Sequence, residues 1–189
     1  METLTAEQQL MADTAEADFK LDLWDEPPAM WAVVRSEDGS LRRVMFNFTD
    51  DFWNMAPMHL VLKSITMSTQ IFSAAKIKLP LKIIGDERVV GIILRTEGWG
   101  VAGKNETDPT DTKPPIEALQ AWMAEGHRLS EHPDRIEVKT YQLITESGQT
   151  TLSLDRGGDP TGKWADNFSG RVPEALAEVF AAVSEAMNK

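Results

Sequence analysis

The sequence contains no cysteine and no long apolar run, and each absence excludes a class of protein. Without thiols there can be no disulfide framework, cysteine nucleophile or cysteine-ligated metal. No stretch reaches the roughly 20 apolar residues that a membrane-spanning helix needs. The N-terminus also lacks the basic start and apolar run of a signal peptide. These absences predict a cytoplasmic protein that makes no contact with a membrane.

Basic residues are scarce as well, since 19 Lys and Arg stand against 30 Asp and Glu, for a net charge of −11. The imbalance is uneven: residues 1–28 hold eight acids and one base, residues 29–104 seven acids and ten bases, and residues 105–189 fifteen acids and eight bases. A negative protein repels phosphate backbones, so general nucleic-acid binding is not expected. The basic middle could pair with a second copy or face another partner, although a solubilising acidic surface is the simpler interpretation.

The 189 residues, 42% hydrophobic and 26% charged, suffice for one globular domain and are too few for two ordinary ones. Apolar periodicity and turn signals predict the order α–ββ–α–β–α–ββ–α. Two hairpins and a central strand at residues 88–96 then predict an α+β fold, with a mostly antiparallel sheet of about five strands covered by helices. The Pro27-Pro28 pair divides the chain into an acidic N-terminal helical segment, residues 1–28, and a single α+β domain, residues 29–189.

Turn residues place three further boundaries. One helix is predicted from the caps Thr49, Asp50 and Asp51 to about residue 79, with Pro57 in its first turn. The glycines after residue 97 are expected to end the central strand in a bulge or bend. Four glycines between residues 155 and 170 predict a loop there.

Residues 98–105, GWGVAGKN, match parts of two nucleotide-binding patterns. Gly98, Gly100 and Gly103 fit the spacing G-x-G-x-x-G, and Lys104 follows Gly103 as the lysine of a phosphate loop does. Such a loop needs a following helix whose N-terminal amides hold the anion, but the next stretch is proline-rich and aperiodic. A small-molecule or nucleotide-binding enzyme that uses Gly98, Gly100, Gly103 and Lys104 is therefore the alternative hypothesis, and the leading one involves no cofactor.

His127, Glu131 and His132 come close to the inverted zinc-protease pattern, with one residue too many before Glu131. In a helix the two histidines would point about 140° apart, because each residue turns 100°. Pro133 also disfavours a helical conformation at His132. A nonhelical turn could still join them, but no metal site is expected. Carboxylate pairs elsewhere suit helix caps as well as catalysis, so the catalytic residues are unknown and no linear signature supports an enzyme.

Six Trp and nine Met are many for this length, and residues 45–59, MFNFTDDFWNMAPMH, hold four aromatic residues and three Met. Core packing explains most of them, whereas an exposed part would form an adaptable protein-binding surface. The acidic segment could likewise order on a partner. The leading hypothesis is a non-catalytic accessory protein that acts by protein–protein binding, with a homodimer as one form. The predicted interface residues are Phe46, Phe48, Phe52, Trp53, Met55, Met58 and Trp24.

The block TEGWGV, followed by RLSEHPDRIEVKTYQLITESGQTTLSL, resembles part of a type of small acidic α+β protein of actinobacteria and their viruses. In this resemblance a strand ends at Glu97-Gly98-Trp99, and a turn at residues 131–135 leads into a long hairpin. It covers residues 88–156, and those proteins are uncharacterised, so no catalytic residue is carried over. The resemblance implies an accessory protein, with a viral origin as one context, for which partner binding is expected.

Overall fold

A computed structural model describes residues 3–84, 86–101, 116–159, 161–166 and 169–188. Its strands are β1 (Ala29–Arg35), β2 (Leu41–Met45), β3 (Arg88–Val101), β4 (Arg135–Thr145), β5 (Gly148–Asp155) and β6 (Lys163–Asp166). They form one open sheet in the order β2-β1-β3-β4-β5-β6, and every neighbouring pair is antiparallel.

The described helices are α1 (Ala6–Lys20), α2 (Asp50–Asn54), α3 (Met58–Ala74), α4 (Ile116–Ala124) and α5 (Arg171–Met187), with a 3₁₀ turn at Leu129–Glu131. The predicted α+β class and the antiparallel sheet are confirmed. The sheet has one strand more than the expected five.

Both faces of the sheet carry a core. On one face α3 and α5 pack over strand residues such as Met30, Ile92 and Leu94. On the other face α1 packs over a second apolar cluster that includes Trp31 and Tyr141. The central strands are buried on both faces for this reason, and the nearly continuous apolar run of β3 reflects it.

Close strand packing explains a glycine inside β3. A Cβ atom at Gly91 would lie 2.9 Å from the carbonyl oxygen of Ile144 on β4. The turn of the first hairpin requires a second glycine, since Gly39 has a φ of 83°. One of the two hairpins that the sequence predicts is thus formed by β1 and β2.

Three predicted boundaries are wrong. The strand expected to end near Gly98 continues to Val101, because it stays paired with β4 as far as Arg135. The single helix expected after Thr49 is two, since Pro57 is the N-cap of α3 and separates it from α2. The expected loop of residues 155–170 contains β6, whose four exposed residues lack the alternation that marks a half-buried strand.

Thr5 caps the N-terminus of helix α1. The Thr5 hydroxyl accepts a hydrogen bond from the Gln8 amide (3.2 Å), and the Gln8 side chain accepts one from the Thr5 amide (2.8 Å). Met11 and Ala15 of this helix are fully buried against the sheet. Residues on both sides of residue 28 therefore share a core, while the division of the chain there stays a prediction.

Candidate protein-binding surface

Four aromatic side chains between β2 and α3 form one cluster, in which the Phe rings stack and Trp53 meets them edge-on. Phe48 lies at its centre, with ring centroids 4.4 Å from Phe52, 5.8 Å from Phe46 and 5.3 Å from Trp53. Trp53 is buried in the core, and the three Phe rings are partly buried and pack on it. The cluster therefore extends the core to the molecular surface.

Backbone contacts fix this cluster in place. The Phe46 amide donates to the Met30 carbonyl (2.9 Å), which continues the pairing of β2 with β1. Thr49 caps α2, since its hydroxyl accepts a hydrogen bond from the Phe52 amide (3.4 Å). A strand end and a helix cap thus position the rings before any partner is bound.

An uncharged cleft of about 170 Å³, the aromatic cleft, opens beside these rings. Its apolar lining consists of Phe46, Phe48, Phe52, Ile65, Phe72, Leu79 and Pro80. An apolar cavity of about 150 Å³ in another protein binds benzene. The aromatic cleft therefore has room for one aromatic ring.

Helix α3, which lines the cleft with Ile65, Ser68, Thr69 and Phe72, presents a line of exposed apolar side chains on another of its sides. Leu60, Met67 and Ile71 are 48%, 62% and 61% exposed. At 100° per residue, these three positions fall within about 40° of one another around the helix. We call this line the α3 stripe. The outward side of a helix at a protein surface is ordinarily polar, so the stripe is a departure that calls for a function.

The sequence-based prediction of the interface omits the α3 stripe. Apolar residues at helical spacing favour a core assignment, and Leu62 of the same helix is indeed fully buried. One feature of the sequence could have indicated an exposed apolar residue on this helix, namely the run of three consecutive apolar residues Leu60, Val61 and Leu62. Successive helical residues point in different directions, so a single buried face does not account for all three.

The structure brings together most of the predicted interface residues. Phe46, Phe48, Phe52 and Met58 pack on the outer part of the core, and Met55 is 56% exposed beside them. Trp53 belongs to the same cluster but is only 5% exposed, so it supports the surface from beneath.

Trp24, the remaining predicted residue, lies on the opposite face of the sheet. Its ring has the Lys139 ammonium 4.8 Å and the Arg156 guanidinium 5.4 Å from its centroid. Cations at such distances are attracted to the negative face of an indole. Trp24 therefore fastens the segment after α1 to β4 and to the turn after β5, and it is separate from the aromatic cluster.

Three carboxylates converge near Trp24, with oxygens of Asp25, Glu97 and Glu137 within 4.8 Å of one another. Cations of the chain itself contact all three. The Lys139 ammonium lies 2.9 Å from Glu97, and Arg156 donates to Glu137 (2.6 Å) and to Asp25 (3.2 Å). We interpret the cluster as an internal ion-pair network that holds the residue 21–28 segment on the sheet.

A buried polar contact lies deeper on the same face. Arg95 and the Tyr141 hydroxyl both donate to one oxygen of Asp18, at 3.0 and 2.7 Å. Burial raises the pKa of Tyr141, and the hydrogen bond to Asp18 acts in the same direction, so the phenol stays protonated. Arg95 also donates to the Pro27 carbonyl (2.8 Å). These bonds join α1 to β3 and β4.

The described half of the alternative nucleotide loop is regular strand. Gly98 and Gly100 lie in β3 opposite Val138 and Ile136. A Cβ atom at Gly100 would lie 2.9 Å from a methyl group of Val138, so packing between strands accounts for that glycine. Gly103 and Lys104 lie outside the described residues.

The two histidines of residues 127–132 contact the same aromatic ring. His127 stacks on Trp122 at 4.7 Å, and His132 meets it edge-on at 5.1 Å. Glu131, the third residue of the near-zinc pattern, accepts a hydrogen bond from the Arg128 amide (3.0 Å). These contacts are those of a packed turn.

Comparisons with protein-family models, curated proteins and solved structures found no match. The resemblance of residues 88–156 to small acidic actinobacterial proteins therefore stays a prediction. Among the described residues, no helix is long and apolar enough to cross a membrane.

Proposed function

We propose that this chain is a non-catalytic accessory protein that binds another protein through the α3 stripe and the aromatic cleft. We place it in the cytoplasm, as its composition predicts, without general nucleic-acid binding. A viral origin and a homodimer remain secondary parts of the same hypothesis.

The observation that carries this proposal is the line of three exposed apolar side chains on the helix that also lines an uncharged cleft. Singly scattered apolar residues are normal at a protein surface, but adjacent ones are typical of interaction sites. Met67 supports this interpretation, because a flexible thioether adapts to the shape of a partner. Phe46, Phe48 and Phe52 add a rigid aromatic part of the kind found at the centre of interfaces.

The alternative of a nucleotide-binding enzyme gains no support from the described residues. Its glycines Gly98 and Gly100 are part of a continuous antiparallel ladder, and Gly103 and Lys104 lie outside the described residues.

The test is affinity capture from extracts of the cells in which the protein naturally occurs. We expect the wild-type protein to capture a defined protein that Met67→Ser/Ile71→Ser captures at least tenfold less, as quantified by mass spectrometry. Two central interface residues commonly contribute this much or more to binding. Purified wild-type protein should then bind the purified partner directly in calorimetry.

Leu21→Ser is the matched control, because Leu21 is 69% exposed and lies at the end of α1 on the other side of the sheet. We expect it to capture the same partner as the wild type. All three proteins should melt within a few degrees of one another, since substitutions at exposed positions usually change stability by no more than about 0.5 kcal/mol. A partner list unchanged by Met67→Ser/Ile71→Ser would contradict the proposal.

A further inference from the structure

We propose that the occupant of the α3 stripe and the aromatic cleft is an acidic amphipathic segment of a partner protein, which inserts one aromatic side chain into the cleft. This inference rests on the proposed function and specifies the chemistry of the partner.

The first argument is the charge of the chain that builds the surface. Residues 52–85 contain no Asp or Glu, although the whole chain has 30 of them and a net charge of −11. The same stretch contains four lysines, Lys63, Lys76, Lys78 and Lys82. The α3 stripe and most of the cleft lining thus come from a locally basic part of an acidic protein, while the exposed Asp50 and Asp51 lie between Phe48 and Phe52 in the sequence.

The second argument is that these lysines have no ionic partner in the part of the chain that the structure describes. Within the described residues, none of the four takes part in an ion pair, whereas Lys20, Lys139 and Lys163 each do. The four side chains are exposed. Their charge is therefore available to an acidic partner, which it would attract over about a Debye length of 8 to 10 Å.

The positions of the lysines also indicate how the occupant is oriented on the surface. Lys78 and Lys82 border Leu79 and Pro80, which form part of the cleft wall. At the other end of α3, Lys63 lines a small depression together with Glu174 and Glu178 of α5, so the charges there are mixed. We therefore infer that the acidic residues of the occupant lie at the cleft end.

The cleft indicates that the occupant also carries an aromatic side chain. Its volume of about 170 Å³ accommodates one aromatic ring, and none of its lining residues is charged. A ring in this position could stack against Phe48 or Phe52, in the way those two rings already stack on each other at 4.4 Å.

A second copy of this chain fits the surface less well. In a twofold contact through the α3 stripe, the same patch of both copies would face itself. Residues 52–85 of each copy would then bring four lysines and no acidic residue to the contact. Like charges at an interface oppose association.

The experiment is a selection from a random peptide display library on the immobilised full-length protein. Peptides that bind the wild type are then screened against Met67→Ser/Ile71→Ser. We expect peptides that depend on the α3 stripe to be enriched in Asp and Glu and to contain Trp or Phe. Selected peptides are then measured by fluorescence anisotropy against Lys78→Glu/Lys82→Glu and the charge-matched control Lys20→Glu/Lys163→Glu. We expect at least a tenfold loss of affinity for the first variant and less than a threefold change for the second.

The outcomes distinguish a failure of the proposed function from a failure of the acidic-partner inference alone. If no selected peptide depends on the α3 stripe, this inference and the proposed function both fail. If stripe-dependent peptides are neutral or basic, or if Lys78→Glu/Lys82→Glu binds them like the wild type, only the acidic partner is overturned. Two direct assays cover the other occupants. Stripe-dependent dimerisation in sedimentation, or stripe-dependent binding to phosphatidylserine vesicles without peptide binding, would also overturn it.

Discussion

At the scale of single residues, the contact between Arg42 and Glu87 sets the position of one cleft wall. The Arg42 Nε donates to Glu87 (2.7 Å), and the Ile84 amide donates to the same carboxylate (2.8 Å). Arg42 also donates to the Lys82 carbonyl (2.8 Å). This contact fastens the segment that contains Leu79 and Lys82 to β2. Hydrogen bonds from Arg42 and from the Ile84 amide lower the pKa of Glu87 from its ordinary 4.5 to about 2.

The pH dependence of this contact has a defined sign. Because the pKa is lower in the folded state, the stabilisation by ionised Glu87 is present above pH 4.5 and is lost as the pH falls toward about 2. We expect Arg42→Gln to return the pKa of Glu87 toward 4.5 in a carboxyl NMR titration. Lys20→Gln, on the other side of the sheet, should leave it unchanged. A wild-type Glu87 that titrates near 4.5 would contradict the structure at this point.

Residue-level contacts of this kind are the least accessible from the sequence. Asp18 is 77 residues from Arg95 and 123 residues from Tyr141 along the chain, and nothing local indicates that the three side chains meet. A charged residue is ordinarily assigned to the surface, and this assignment fails where a partner from another element satisfies it in the interior.

At the scale of elements, α1 is predicted to contribute to the stability of the whole chain. Met11 is fully buried between α1 and the sheet. Met11→Ala therefore leaves a cavity between the helix and the strands. We expect a loss of about 2 to 5 kcal/mol in the free energy of unfolding, measured by urea denaturation.

Leu21→Ala is the control for this element, since Leu21 follows α1 and is 69% exposed. Its effect should stay near 0.5 kcal/mol or less. If Met11→Ala unfolded with the wild-type midpoint, residues 1–28 would behave as the separable segment that the sequence predicts.

Helices and strands whose residues show an apolar pattern could be predicted from the sequence. Those that depend only on pairing with a neighbouring strand could not. The apolar run of β3 and the hairpin of β4 and β5 were apparent because burial on a sheet leaves a pattern in their residues. Strand β6 has four exposed residues and is a strand because it pairs with β5. The α3 stripe was missed for a related reason: the sequence identifies Met67 and Ile71 as apolar, but their exposure depends on which side of α3 the sheet and α5 cover.

At the scale of the whole molecule, the two cores share one sheet and should unfold together. Trp31 belongs to the core under α1, and Trp53 belongs to the core under α3 and α5. β1 and β3 contribute side chains to both clusters, so loss of either core exposes strands that the other needs.

This prediction can be checked with 5-fluorotryptophan and ¹⁹F NMR. The native-state signals of Trp31 and Trp53, assigned by single Trp→Phe variants, should each fall to half their intensity at the same urea concentration, which should also be the midpoint seen by circular dichroism. An earlier loss of the Trp31 signal would instead define the α1 layer as a separate unfolding unit.

The two outer strands of the described sheet bear on aggregation. β2 and β6 are five and four residues long, and they carry Arg42 and Arg43 in one and Lys163 and Asp166 in the other. Short, charged outer strands offer few unpaired backbone groups to another chain and oppose strand-to-strand stacking of folded molecules. Growth of the sheet from either of these edges is therefore disfavoured, so the exposed apolar face of α3 is the more favourable place for this protein to associate.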